Sequence, residues 1–131
     1  MIRVLDAHAL LAYLEKEPGW KQVETFLAQA AEKNTPMLMS VVNFGEVYYI
    51  ILRELGREKA DAFEKILETL PIEVVSVDNR HVKQAAYFKA KGNISYADCF
   101  AAALAKLRNA QIVTGDREFK VLEHEVRIQW I

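Results

Sequence analysis

A single carboxylate stands inside the apolar run VVNFGEVYYIIL at positions 41–52. This residue, Glu46, is the only charged residue of the run, and no lysine or arginine occurs between Lys33 and Arg53. A buried carboxylate without a positive partner is costly and tends to protonate. Asn43, one helical turn earlier, is expected on the same helical face. The pattern indicates a bound cation or a distant basic residue. A solvent-exposed face is the alternative, which the apolar neighbours disfavour.

Three further acids stand where predicted strands and helices meet. Asp6 follows IRVL, Asp98 lies in SYADCF, and Asp116 closes TGD. Each has an ordinary interpretation: a helix N-cap for Asp6, the third position of a capping box opened by Ser95 for Asp98, and a turn aspartate for Asp116. The hydroxyl of Thr114 could hold a carboxylate or a water in place. Taken together, oxygen ligands of this kind suit hard cations such as Mg²⁺ or Mn²⁺.

Other kinds of functional site lack the residues they need. Neither GxxxxGK[ST] nor GxGxxG occurs, which disfavours enzymes that bind nucleoside triphosphates or dinucleotides through such loops. No Cys/His cluster has zinc spacing, and no Ser/His or Cys/His set stands out for covalent catalysis. The single cysteine, Cys99, rules out an internal disulfide and is expected to pack as a small hydrophobic residue.

Length and composition are those of one ordered domain spanning positions 1–131. Hydrophobic residues make up 52% of the 131 residues, and the formal net charge is −1. No run is long enough for a membrane span, and the first residues do not resemble a signal peptide, so we expect a cytoplasmic protein. The charge balance gives no basic footprint for nucleic acid. Bound divalent cations would offset the four acids, however, and leave the rest of the chain positive.

Strands and helices are predicted to alternate along the chain. Short buried or alternating runs predict strands at 2–5, 36–40, 72–77, 111–116 and 126–131. Spacing and capping residues predict helices at 7–14, at 18–33, from Ser40 to Gly56, around 60–70, from Asp78 to about Lys91 and from Ser95 to about Arg108. REFKVL, after Asp116, is predicted to form a short helical piece. Alternation of this kind predicts a mainly parallel sheet covered on both faces, with ligands beyond the carboxyl ends of the strands.

The acids and their neighbours, taken in order, resemble a known family. A hydrophobic strand ending at Asp6, Asn43-x-x-Glu46, Ser95-x-x-Asp98 and Thr114-Gly115-Asp116 are similar to the motifs of the PIN-domain ribonucleases, above all the VapC toxins of prokaryotic toxin–antitoxin pairs. The resemblance extends over essentially the whole chain and includes the DAHALLAYL opening. It differs at His8, where many relatives have Ser or Asn.

The resemblance implies a three-layer α/β/α fold with strand order 3-2-1-4-5. It also implies Mg²⁺- or Mn²⁺-dependent cleavage of RNA, with one or two ions per site, an antitoxin that covers the early helices, and a homodimer. Asp6 and Asp98 would be the main ligands, Glu46 a ligand or the base that orients water, and Asp116 a ligand of a second ion or one acting through water. Asn43, Ser95 and Thr114 would orient these carboxylates. The side chains expected to contact RNA phosphates are basic: Arg117, Lys120, Lys89 and Lys91.

Two other functions remain open from the sequence. A receiver-like signalling domain also gathers acids at strand ends, and Asp78 after the third strand would be its phosphoacceptor, although no lysine follows the last strand. A PIN-like fold that only binds a partner protein, without catalysis, is the second alternative.

Overall fold

Strands and helices alternate through residues 1–131, all of which the computed structural model describes. The strands are β1 (Arg3–Leu5), β2 (Met37–Ser40), β3 (Ile72–Val75), β4 (Gln111–Thr114) and β5 (Arg127–Trp130). The α-helices are α1 (Ala7–Glu15), α2 (Trp20–Lys33), α3 (Val41–Leu55), α4 (Arg57–Glu68), α5 (Asn79–Lys89) and α6 (Tyr96–Leu107). A short 3₁₀ helix, η1, spans Arg117–Leu122.

The five strands form one sheet in the order β3-β2-β1-β4-β5, and every neighbouring pair is parallel. This confirms the predicted α/β fold and the strand order 3-2-1-4-5. The core consists mainly of two hydrophobic clusters. One includes apolar residues of α5 and α6, and the other includes apolar residues of α1 to α4. Asp98 through Ala105 of α6 are all buried, and alanine at half of these positions lets the helix lie close to its neighbours.

The ends of several elements differ from the sequence-based expectation. Helix α2 begins at Trp20 rather than Pro18 because Gly19 takes a left-handed conformation, with φ of 96°, just before it. Strand β4 ends at Thr114, two residues before the predicted end, and β3 ends at Val75 rather than 77. Strand β1 is followed at once by Asp6, the N-cap of α1, and β4 is followed after Gly115 by Asp116, the N-cap of η1.

The sheet order is not that of a receiver domain, whose strands run 2-1-3-4-5. Strand β3 lies at the edge of the sheet, and Asp78 accepts a hydrogen bond from the backbone N–H of His81 as the N-cap of α5. The receiver-like alternative is therefore wrong. Separately, none of the helices is both long enough and apolar enough to cross a membrane.

Candidate metal centre

The four predicted acids lie around one cleft at the carboxyl ends of β1 and β4. Glu46, Asp98 and Asp116 line this cleft, which we call the acidic cleft, together with His8 and Glu118. Asp6 is fully buried beside it and is linked to Asp116 through Thr114. Residues from four separate parts of the chain therefore meet at the position where parallel sheets hold their ligands.

Asp6 is at once the N-cap of α1 and a member of the acidic cluster. Its Oδ1 accepts a hydrogen bond of 2.8 Å from the backbone N–H of Ala9. Its Oδ2 accepts a short hydrogen bond from the Thr114 hydroxyl. The capping role considered for Asp6 is thus real. It does not exclude a second role, because each carboxylate oxygen has two lone pairs.

Thr114 holds two of the acids in place with one hydroxyl group. Its Oγ1 donates to Asp6 and accepts a hydrogen bond of 2.9 Å from the backbone N–H of Asp116. Asp116 in turn caps η1, since its Oδ1 accepts from the backbone N–H of Glu118 at 3.0 Å. Thr114 is completely buried, so this connection between β1 and β4 is shielded from water.

The start of α6 is capped by residues from two segments. The Ser95 hydroxyl accepts a hydrogen bond of 3.2 Å from the backbone N–H of Asp98, as in the first half of a capping box. The reciprocal bond comes from elsewhere, because the Ser95 backbone N–H donates to Oε1 of Glu118 at 2.9 Å. The Asp98 carboxylate is therefore not used in capping and faces the cleft.

Glu46 and Asn43 each carry a buried oxygen without a hydrogen-bond partner. These atoms are Oε1 of Glu46 and Oδ1 of Asn43. The amide nitrogen of Asn43 donates to the backbone carbonyl of Ala97 at 3.1 Å, which joins α3 to α6. Unpartnered buried oxygens are uncommon in folded proteins and call for an explanation.

Burial and mutual repulsion shift the protonation of these acids. Burial, opposed by the Thr114 hydroxyl and reinforced by the charges of Asp116 and Glu46, raises the pKa of Asp6 to about 7. Burial and the charges of Asp116 and Asp6 raise the pKa of Asp98 to about 8. Burial also raises the pKa of Glu46, although the neighbouring Asn43 amide lowers it in part.

The donor set fits a divalent cation that prefers oxygen. One oxygen from each of Asp98, Asp116 and Glu118 lies within 4.8 Å of the others. No lysine or arginine lines the cleft, so proton uptake or a bound cation must balance the carboxylates. The two unpartnered oxygens of Glu46 and Asn43 are further acceptors of the kind that Mg²⁺ or Mn²⁺ and its waters use.

His8 lies over Gly115 at the rim of the cleft. A Cβ atom on Gly115 would come within 2.6 Å of Cε1 of the exposed His8 ring and 3.3 Å of the Ile131 carbonyl oxygen. A side chain at position 115 would therefore displace the His8 ring from this position. His8 lines the cleft but makes no hydrogen bond to any of the acids.

The basic residues predicted to contact RNA lie in different surroundings. Lys89 donates to the backbone carbonyl of Ile94 at 2.7 Å, and Lys91 pairs with Glu125 at 2.9 Å. Lys89 therefore ties the end of α5 to the loop at Ile94, and Lys91 ties that loop to Glu125. Arg117 is exposed, with its guanidinium carbon 5.2 Å from the centre of the Trp130 ring, and Lys120 is also exposed. None of the four lines the acidic cleft.

Glu118 is the member of the cluster that sequence reasoning missed. In the sequence it is one of several charges in a short exposed segment and has no distinguishing neighbour. Its role becomes visible only through the long-range hydrogen bond from Ser95 and its closeness to Asp98 and Asp116. The one feature of the sequence that could have indicated Glu118 is its position two residues after Asp116, across a tight turn.

The fold and the acidic cleft together define an α/β domain with a candidate metal centre at the carboxyl edge of a parallel sheet. The family model of the PIN domain matches residues 3–125, and the chain belongs to this family. No curated protein matches the sequence.

Several solved structures share this fold. A chain of VapBC2 from Rickettsia felis, bound to a DNA fragment from the promoter, has a TM-score of 0.79 and 19% identity over 98% of each chain. VapBC from Salmonella typhimurium, also DNA-bound, has a TM-score of 0.75 and 18% identity over 98% of this chain and 97% of that one. VapC20 from Mycobacterium tuberculosis, a sarcin–ricin loop cleaving toxin, has a TM-score of 0.67 and 17% identity over 95% of each chain.

Proposed function

We propose that the chain is a metal-dependent endoribonuclease and the toxin of a toxin–antitoxin pair. The observation that carries the proposal is the acidic cleft: carboxylates from three parts of the chain line it, Asp6 from a fourth part is buried beside it, and no lysine or arginine lines it. Membership of the PIN domain family supports a nuclease. Similarity of fold to VapBC complexes and to a VapC toxin that cleaves the sarcin–ricin loop supports RNA as the substrate and an antitoxin as the partner. We expect such a protein to act in the cytoplasm.

Asp6, Asp98, Asp116 and Glu46 would hold one or two Mg²⁺ or Mn²⁺ ions. A bound divalent cation would supply Lewis-acid activation of water and neutralise charge on the phosphoryl oxygens. Glu46, whose Oε1 has no hydrogen-bond partner within the chain, would be a ligand or the base that orients the attacking water. Thr114 fixes the orientation of Asp6, and Ser95 with Glu118 fixes the start of α6 that carries Asp98.

The proposed partner proteins have apolar surface available to them. Tyr49 and Leu55 of α3 and Ile66 of α4 are 50%, 64% and 50% exposed. By contrast, Trp20 and Phe26 of α2 are each partly buried. The more exposed apolar side chains therefore lie on α3 and α4 rather than on α2. We propose that this surface serves an antitoxin or a second copy of the chain, as expected for a homodimer.

RNA cleavage by purified variants tests the proposal. We expect the wild-type chain to cut RNA with Mg²⁺ or Mn²⁺ and to lose activity with a chelator. Asp98→Asn should lose cleavage while its free energy of unfolding changes by no more than about 1–2 kcal/mol. Asp61→Asn, which changes an exposed acid outside the cleft, is the matched control and should remain active.

Full activity in Asp98→Asn would contradict the assignment. If the folded wild-type chain binds the divalent cation but cuts no RNA, the chain is instead a PIN-fold binding module without catalysis.

A further inference from the structure

A second cavity lies at the opposite end of the strands from the acidic cleft. It opens between the amino ends of β1 and β2 and the end of α2, and its volume is ≈ 90 Å³. Arg3 begins β1 and Asp6 follows its last residue. At about 3.3 Å per strand residue, the two sites are roughly 10 Å apart along the strand. A group bound in this cavity is therefore not the one bound in the acidic cleft.

Arg3 contacts two side chains of α2 at this cavity. Its guanidinium carbon lies 4.2 Å from the centre of the Phe26 ring, and its Nη1 donates to Oε1 of Gln29 at 3.3 Å. Its Nε is buried and has no hydrogen-bond partner. Contact with an aromatic face and an amide positions the guanidinium, and among its terminal nitrogens only Nη1 is hydrogen-bonded within the chain.

The cavity is lined by two positive side chains and no negative one. Arg3 and Lys33 supply the charges, and Gln29 and Thr35 add polar atoms. Neither Arg3 nor Lys33 forms a salt bridge within the chain. Two uncompensated positive charges on a protein whose net charge is −1 mark a local site for an anion.

We propose that this cavity binds a phosphate group. Its two cations match the charge of about −1.5 to −2 that a phosphate monoester carries near neutral pH, whereas a carboxylate would balance only one of them. The guanidinium presents a fork of donors that suits phosphate oxygens, and the lysine adds a mobile point charge. Free inorganic phosphate and the terminal phosphate of a nucleotide share this chemistry.

Calorimetric titration of the metal-free full chain with inorganic phosphate tests the site. A chelator keeps divalent ions out of the acidic cleft, and chloride keeps the ionic strength constant. We expect saturable binding of one phosphate per chain. Arg3→Gln and Lys33→Gln should each weaken it by about tenfold or more, because each removes a charge-assisted hydrogen bond. Lys21→Gln, which changes another exposed lysine of α2, is the matched control and should bind like wild type.

Further titrations distinguish a nucleotide from free phosphate as the ligand. A comparison of the two variants separates loss of binding from loss of folding. Tighter binding of adenosine 5′-monophosphate than of phosphate assigns the site to nucleotides, and equal binding assigns it to free phosphate. Arg3 also packs on Phe26, so Arg3→Gln could unfold the chain. Lys33 is exposed, and its variant gives the result without that risk. The proposal is overturned if wild type shows no saturable binding, if Lys33→Gln binds like Lys21→Gln, or if acetate binds as tightly as phosphate.

Discussion

One residue, Thr114, connects the acids that follow β1 and β4. Its hydroxyl donates to Asp6 and accepts from the backbone N–H of Asp116, and it is fully buried. From the sequence, the Thr114 hydroxyl was expected to hold a carboxylate or a water in place. The partner, Asp6, could not be predicted, because the two residues are 108 positions apart.

Removing the hydroxyl with Thr114→Val tests this link. The hydrogen bond lowers the pKa of Asp6, so its loss should raise that pKa further and shift the onset of Mn²⁺ binding to higher pH. A buried carboxylate oxygen without a donor should also cost about 1–3 kcal/mol in unfolding free energy. Titrations with Mn²⁺ over a range of pH would measure the first effect and denaturant unfolding the second. Thr114→Ser keeps the hydroxyl, and an equal shift in that variant would speak against this explanation.

Cys99 packs as a small hydrophobic residue, as the sequence predicted. It is fully buried, and burial raises the pKa of its thiol to about 11. Few thiolates form near neutral pH, so the side chain acts as packing rather than as a nucleophile.

At the scale of elements, the contact between η1 and α6 sets the position of Asp98. The Ser95 backbone N–H, which a capping box would satisfy from within α6, is satisfied by Glu118 of η1. The sequence predicted the cap at Ser95, the short helical piece at REFKVL and the helix after Ser95. It did not predict that the two elements share a cap, since nothing local to either segment encodes the bond between them.

Two substitutions at Glu118 separate its capping role from its charge. Glu118→Gln keeps an acceptor for the Ser95 N–H and removes the charge near Asp98 and Asp116. We expect it to retain stability and to bind Mn²⁺ more weakly. Glu118→Ala should lose stability as well, by about 1 kcal/mol, the usual cost of a lost cap. Thermal unfolding and Mn²⁺ titration of both variants provide the measurements. Equal affinity for Mn²⁺ in Glu118→Gln and wild type would show that the charge of Glu118 plays no part in the centre.

At the scale of the whole molecule, the sheet order was predictable and the exact ends of its strands were not. The order 3-2-1-4-5 came from the resemblance carried by the acids, while parallel pairing came from the alternation of strands and helices. The ends of β3 and β4 depend on turn geometry and on pairing with a neighbouring strand. Gly115, for example, lies in a turn whose close contact with His8 exists only in the folded chain.

The raised pKa values predict how the stability of the metal-free protein depends on pH. Asp6 and Asp98 have pKa values of about 7 and about 8 in the folded chain, against an ordinary value of 3.8. The folded state therefore holds more protons than the unfolded chain between these limits. The contribution of these groups to the free energy of unfolding is fully present below pH 3.8 and is lost as the pH rises to about 8.

Asp98→Asn removes one of the two groups that cause this loss. We expect the metal-free variant to lose less stability than wild type between pH 4 and pH 8, and to be the more stable of the two at pH 8. Mg²⁺ at that pH should stabilise wild type more than the variant. Thermal unfolding of both proteins in chelator across this range is the test. Parallel curves for the two proteins would mean that Asp98 does not carry the raised pKa.

The most direct test of the metal centre is a crystal structure of the wild-type chain grown with Mn²⁺, with the ion located by its anomalous scattering. We predict an anomalous peak in the acidic cleft at bonding distance, about 2.0–2.6 Å, from oxygens of at least two of Asp6, Glu46, Asp98 and Asp116. The same peak should be weak or absent in Asp98→Asn. A cleft without an anomalous peak at saturating Mn²⁺, in crystals of the folded wild-type chain, would contradict the assignment of these acids to a metal centre.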